Sequence, residues 1–146
     1  MNPGRVYLVQ TDTTVGFLSR DAHKLALAKQ RDPAQPFLIS TAYFRIQKRL
    51  ARTPRKYRKE VRRARKTTYL YPSKKAIRVV SEGPHHRFLA NFAWLYSTSA
   101  NLHGAPFDYG YALSRADVVV EDRRGFCASH ASAIFRIGKR RKRRLR

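Results

Sequence analysis

Three short polar stretches carry residue types that could hold an anion and do chemistry on it: Thr11-Asp12-Thr13-Thr14-Val15-Gly16, Lys29-Gln30-Arg31, and Ser99-Ala100-Asn101-Leu102-His103-Gly104. Cations beside hydroxyl and amide donors at loop ends can hold an anion, although each stretch taken singly also reads as a turn or a solvated helix end. Other chemistries find little support. Among nine acids, Glu121 and Asp122 are adjacent but point to opposite faces of a strand, so no paired-carboxylate site is visible. His85 and His86 lack a third ligand at metal spacing, and the lone Cys127 has no nucleophile context and no partner for a disulfide. Neither GxxxxGK[ST] nor GxGxxG is present, which leaves polar loops at strand ends as the candidate site.

The elements that must position these loops can be read from periodicity. Residues 5–10 alternate and are rich in β-branched and aromatic types, giving a strand that runs into the Thr-rich loop. A helix capped by Asp21 follows, expected to stop at Asp32-Pro33. Residues 36–40 predict a buried strand, then a helix capped by Thr41, and Thr53-Pro54 starts another whose apolar stripe is Tyr57, Val61 and Ala64. From Thr67 the period changes to alternation, with TTYLY and AIRVV as a strand pair. Pro84 opens a helix, and 94–97, 117–120 and 132–137 are strands. Six or so strands with three or four helices make a single α/β (or α+β) domain built on a mixed sheet.

Charge separates a second feature from the site. The 146 residues carry a net charge of +23, and it is clustered: residues 45–66 hold twelve Lys/Arg against one acid, and residues 136–146 hold eight against none. Clustered cations imply an anionic partner, whereas a diffuse excess only aids solubility. The expected RNA contacts are Arg55, Lys56, Arg58, Lys59, Arg62, Arg63, Arg65 and Lys66 on the helix, with Lys139, Arg140, Arg141, Lys142, Arg143 and Arg144 on a flexible basic tail spanning 139–146. At 42% hydrophobic residues the rest can form a real core. The opening MNPGRVYLVQTDTT has no apolar leader core, and no apolar run approaches the length of a membrane span. A cytoplasmic protein without membrane contact is the expectation.

In this order the three stretches resemble the threonylcarbamoyl-AMP synthase family, with its YrdC-like fold. There a first strand leads into Pro-Thr-Asp/Glu-Thr-x-Tyr-Gly-Leu, followed by Lys-x-Arg and later Ser-x-Asn. Here the motifs read Gln10 to Phe17, Lys29-Gln30-Arg31, and Ser97 to Gly104. Ala76-Ile77-Arg78-Val79-Val80 is similar to the family's Arg-centred strand, and Ala131-Ser132-Ala133-Ile134 to its Pro-Ser-Thr-Val segment. The likeness spans residues 5–138. Gln10, Val15 and His103 depart from the family's Pro, Tyr and Ser, and Ala64-Arg65-Lys66 replaces its Pro-Gly-Pro.

The resemblance implies a twisted mixed sheet flanked by helices, occupying residues 1–138. It implies a nucleotidyl transferase of tRNA processing that joins ATP, L-threonine and bicarbonate into threonylcarbamoyl-AMP, releasing pyrophosphate. Lys29, Arg31, Ser99 and Asn101 would be catalytic, Thr11 and Thr13 would contact threonine, and Arg78 and Ser132 would hold the nucleotide. Magnesium would ride on the ATP phosphates, with no tightly bound cofactor. Partners would be tRNA or double-stranded RNA and other threonylcarbamoylation proteins. The alternative is an RNA-binding protein on the same fold with weakened or lost catalysis.

Overall fold

The computed structural model describes residues 1–127 and 129–146. Strands β1 (Tyr7–Gln10) and β2 (Val15–Ser19) form a hairpin, with Gln10 paired to Val15 and the Thr-rich stretch as its turn. Helix α1 (Ala22–Lys29) follows, its first turn capped by the Asp21 carboxylate accepting from Lys24 N at 3.1 Å, a contact worth about 1 kcal/mol. Next come β3 (Leu38–Thr41), α2 (Phe44–Leu50), a 3-10 turn (Arg55–Tyr57), α3 (Arg58–Arg63), β4 (Thr67–Leu70), β5 (Ala76–Val79) and α4 (Gly83–Leu89). The chain continues through β6 (Leu95–Ser99), α5 (Tyr109–Arg115), β7 (Val118–Val120), β8 (Ala133–Ile137) and β9 (Lys142–Arg144).

The nine strands make one sheet in the order β7-β1-β2-β6-β3-β5-β4-β8-β9. It is mixed, as expected: β1–β7, β3–β5 and β4–β8 are parallel and the remaining pairs antiparallel. Alternation along the strands assigns the faces. Leu8 and Phe17 join Leu25 of α1 and Ala112 of α5 in one cluster, while Tyr7, Val9 and Leu18 join Phe88 and Leu89 of α4 on the other face. Ile39, Tyr69 and Ile77 pack with Tyr57 and Val61 beneath α2 and α3, and Tyr96 touches both this cluster and the one under α1. So α1, α5, α2 and α3 cover one face. On the other, α4 covers part of the sheet and leaves the stretch bearing Arg78 and Thr68 free of helix. No helix among the described residues is long and apolar enough to cross a membrane.

The alternating pair TTYLY and AIRVV, the Asp21 cap, the Pro84 start and the apolar stripe of Tyr57 and Val61 are all present. Several local expectations differ. Helix α1 stops at Lys29 because Gln30 takes a left-handed turn, φ 50°, well before Asp32-Pro33. Thr41 lies inside β3, where its hydroxyl donates to Ala93 O at 2.9 Å, and caps no helix. Thr53 is buried and bonded to the Gln47 amide at 3.0 Å, so Pro54 leads into a 3-10 turn first. Strand β2 and helix α5 have no counterpart in the sequence reading.

The C-terminal stretch 139–146 also departs from the flexible tail of the sequence reading. After a turn at Gly138, β9 pairs antiparallel with β8, Lys142 opposite Ile137 and Arg144 opposite Phe135. Lys142 Nζ sits 2.8 Å from Glu60 Oε1, and the Lys56 ammonium and Tyr57 hydroxyl both donate to Arg140 O. An exposed strand edge offers unpaired backbone groups, and a short cationic strand satisfies them.

Candidate functional site

A pocket of about 380 Å³ brings together all eight residues singled out for chemistry: Thr11, Thr13, Lys29, Arg31, Arg78, Ser99, Asn101 and Ser132 all line it. They arrive on several local devices. The hairpin turn is tied by Thr11, whose hydroxyl donates to Thr14 O at 2.6 Å and accepts from the N–H groups of Thr13 and Thr14. Gly16, second in β2, must lack a side chain because a Cβ there would lie 3.0 Å from both Thr11 Cγ2 and the Thr98 carbonyl oxygen. That close approach lets β2 pair with β6, Gly16 opposite Ser99, and sets the Thr turn beside the Ser-x-Asn loop.

The Lys-x-Arg spacing has a geometric cause. Gln30 caps α1 in the left-handed region, its N–H and that of Arg31 both returning to Ala26 O, so the chain reverses between the two cations. Lys29 Nζ then donates to Ser99 O (3.1 Å), Ser99 Oγ (3.2 Å), Asn101 O (3.1 Å) and Asn101 Oδ1 (2.8 Å). Asn101 spends its amide N–H groups on Leu102 O and Ala105 O. Lys29 is therefore a strut as well as a charge. Burial, with Arg31 adding repulsion, lowers its pKa to about 8. Arg31 donates through Nη2 to Gln35 O and Pro36 O, stacks over Phe37 at 4.1 Å, and leaves its buried Nε–H without an acceptor.

At the opposite wall Arg78, 3% exposed, donates from Nη1 to Thr13 Oγ1 at 2.9 Å and lies 3.4 Å from Asp12 Oδ1. Asp12 Oδ1 in turn is 2.9 Å from Nδ1 of the fully buried His85. Burial alone would push the Asp12 carboxyl up, but the His85 hydrogen bond and the Arg78 charge outweigh it and hold it below its ordinary value. Burial, reinforced by Arg78, pushes His85 down despite Asp12, so it stays neutral at pH 7. The buried Arg78 is lowered by desolvation, which Asp12 opposes and the charge of Arg146 reinforces. Ser132 pairs its hydroxyl with Thr68 at 2.9 Å, behind the Arg78 wall.

Sequence reasoning missed the roles of four residues. Arg146, carried in by the C-terminal hairpin, lines the pocket and donates from Nε to Ser132 O at 3.2 Å. Within a run of cations nothing local distinguishes it from its neighbours. Asp12 and His85 are 73 residues apart, and only the fold joins them. Gln10 stands where a proline was expected and uses its side-chain carbonyl to accept Cys127 N–H at 2.9 Å, fastening the segment before β8 over the turn.

The pocket thus presents Lys29, Arg31, Arg78 and Arg146 and no acidic side chain among its described lining residues. Such a wall selects an anion, and an acyl phosphate or nucleotide phosphate fits its charge. The fourteen cations expected to meet RNA, from Arg55 to Lys66 and from Lys139 to Arg144, are all exposed and lie outside this lining.

No family model matches the sequence, and no curated protein does. Solved structures do. Sua5 from P. abyssi, complexed with L-threonine, superposes with a TM-score of 0.81 at 17% identity, over 98% of this chain and 50% of that one. Full-length HypF in a phosphate- and nucleotide-bound form gives 0.76 at 14% identity, over 98% of this chain and 27% of that one. E. coli YciO gives 0.75 at 14%, over 98% and 82%. The chain spans about half the length of the Sua5 structure it matches. These likenesses establish the YrdC-like α/β fold.

Proposed function

We propose that this chain catalyses adenylation of a threonine-derived carbamate, forming L-threonylcarbamoyl-AMP for tRNA modification. The observation that carries the reading is the convergence of four cations and two polar loops on one pocket with no acidic side chain among its described lining residues. Supporting it, a structure of the same fold is described with L-threonine and another with phosphate and nucleotide.

The threonine amine attacks bicarbonate, water leaves, and a carbamate forms. A carbamate oxygen then attacks the α-phosphorus of ATP, and the bond to the β-phosphate oxygen breaks as pyrophosphate departs with the electron pair. Charge accumulates on the phosphoryl oxygens, where fixed donors stabilise it without reorganising. In this reading Arg31, Arg78 and Arg146 hold phosphate oxygens. Lys29 supplies a positive field to the pocket while its protons hold Ser99 and Asn101 in place. Thr11 and Thr13, bonded within the turn and to Arg78, shape the threonine subsite. Magnesium would arrive on the phosphates, since the described lining offers it no acidic side chain.

The deciding experiment incubates the protein with ATP, L-threonine and bicarbonate. The expected result is pyrophosphate release that needs all three, together with a mixed anhydride seen by mass spectrometry. Folded protein that binds neither nucleotide nor threonine, and releases no pyrophosphate, refutes the reading.

A second reading, RNA binding in the cytoplasm as part of the same tRNA pathway or in place of catalysis, has its own observation. The hairpin seats Arg140 against Lys56 and Tyr57, so the two basic stretches, far apart in sequence, form one surface. Backbone-phosphate binding there gives an affinity for tRNA or duplex RNA that falls steeply with salt and shows little sequence preference. Salt-independent or absent binding to both refutes it.

A further inference from the structure

A second cavity lies on the side of the sheet away from the pocket. It is a cleft of about 520 Å³ between α2 and the segment that runs from Thr53 through α3, lined by Phe44, Lys48, Arg52, Thr53, Arg58 and Arg62 among others. Its position follows from strand alternation. Ile77 packs in the cluster under α2 and α3, and the next residue, Arg78, faces the other way into the pocket. A small substrate held by Arg78 therefore cannot span to this cleft.

Four cations meet here, and no acid is among the described residues that line the cleft. The nearest candidate for neutralising them in sequence, Glu60, is engaged elsewhere: its Oε1 accepts from Lys142 Nζ at 2.8 Å and from the Tyr69 hydroxyl at 3.0 Å. None of Lys48, Arg52, Arg58 and Arg62 has a carboxylate partner among the described residues. Mutual repulsion should splay such side chains into water, yet three of them are held. Lys48 Nζ stands 5.2 Å and the Arg62 guanidinium 5.4 Å from the centre of the Phe44 ring. Arg58 Nε donates to Thr53 O at 3.4 Å. Thr53 is itself fixed by the fully buried Gln47, whose amide donates to Thr53 Oγ1 at 3.0 Å and to Ala51 O. The floor is thus built from the core outward, and the cations are gathered before any ligand arrives. Paired guanidinium and ammonium groups over an aromatic floor match phosphate oxygens in charge and donor geometry.

We infer that this cleft is a second phosphate-binding site, which takes two neighbouring phosphate groups of one ligand independently of the pocket. The two sources of that chemistry are consecutive phosphates of an RNA backbone and a free polyphosphate. The inference does not depend on catalysis at the pocket.

The test compares two variants that each remove two positive charges from the basic surface: Lys48→Ala/Arg52→Ala inside the cleft and Lys139→Ala/Arg143→Ala outside it. Backbone amide spectra of the 17.0 kDa protein are recorded during titration with inorganic pyrophosphate. Duplex RNA binding is followed by fluorescence anisotropy over a salt series. Saturable pyrophosphate shifts at residues 44–62, lost in the cleft variant and retained in the outside variant, are expected. If the ligand is RNA backbone, the cleft variant also loses at least about tenfold in RNA affinity and about 1.5 units of the log–log salt slope, more than the outside variant. If it is a free polyphosphate, the two variants lose RNA affinity equally while only the cleft variant loses the pyrophosphate shifts. No saturable shift in the cleft, or equal losses in both variants with both probes, overturns the inference and leaves a diffuse basic surface. AMP binding at the pocket is measured in parallel. It stays unchanged in the cleft variant, so failure at one site is distinguishable from failure at the other.

Discussion

The titration of Lys29 gives the sharpest test of the pocket. Its ammonium is buried among oxygens of Ser99 and Asn101, and its pKa is lowered to about 8. An anion that needs this charge binds to the protonated form alone. A group with that pKa is about 90% protonated at pH 7 and about 10% at pH 9, so the apparent Kd rises about tenfold over the interval, or about 1.4 kcal/mol. AMP is a suitable probe because its phosphate, with a second pKa of about 6, is already about 90% dianionic at pH 7, so its own titration strengthens binding by only about a tenth over the range. Calorimetric titration from pH 7 to 9 should therefore show the tenfold weakening in the wild type. Lys29→Arg, charged throughout, should bind with a flat profile, and Lys29→Gln should bind weakly with an equally flat one. Unfolding does not mimic the effect. The lysine pKa is depressed in the folded state, so the unfolded chain binds more protons between pH 8 and 10.5, and stability rises with pH there, by at most about 3 kcal/mol. A flat wild-type profile, or a slope that persists in Lys29→Gln, refutes the assignment of the charge to Lys29.

Deleting residues 139–146 should lower the melting temperature by several degrees and weaken AMP binding, because β9, the Arg140 contacts and Arg146 go together; an unchanged melt with intact AMP affinity would restore the view of a free tail. Gly16→Ala forces a Cβ to 3.0 Å from Thr11 Cγ2 and the Thr98 carbonyl, and should cost about 1–3 kcal/mol in urea unfolding, with no measurable loss counting against the close packing of turn and strand. His85 has a folded pKa below its ordinary 6.5, so the unfolded state gains a proton first and stability falls as pH drops below 6.5. In His85→Gln, whose amide oxygen can still accept Asp12 N–H, that part of the slope below pH 6.5 should disappear, and an unaltered slope assigns the acid sensitivity elsewhere.

Local chemistry alone determined a good deal about this protein. The Asp21 carboxylate caps the next turn whatever surrounds it, TTYLY and AIRVV alternate because one face of each is buried, and the stripe of Tyr57 and Val61 marks the inner side of a cationic helix. Much of the site was legible as well: Thr11, Thr13, Lys29, Arg31, Ser99 and Asn101 stand in polar loops marked by residue type, Arg78 and Ser132 were added by the family resemblance, and all eight share one pocket. What only the tertiary structure decided are pairings across long stretches of chain. Strand β2 exists because Gly16 permits approach to Ser99, and VGFLS has no alternation of its own, being buried on both faces. The run of cations at the C-terminus becomes a strand because β8 presents a free edge to it, and that register alone sends Arg146, rather than its neighbours, to the pocket. The joining of Asp12 to His85 and of Lys29 to Asn101 has the same origin. Propensity and periodicity act over a few residues, whereas register and burial are properties of the closed sheet, and burial is what turns an ordinary lysine into one that titrates near neutrality.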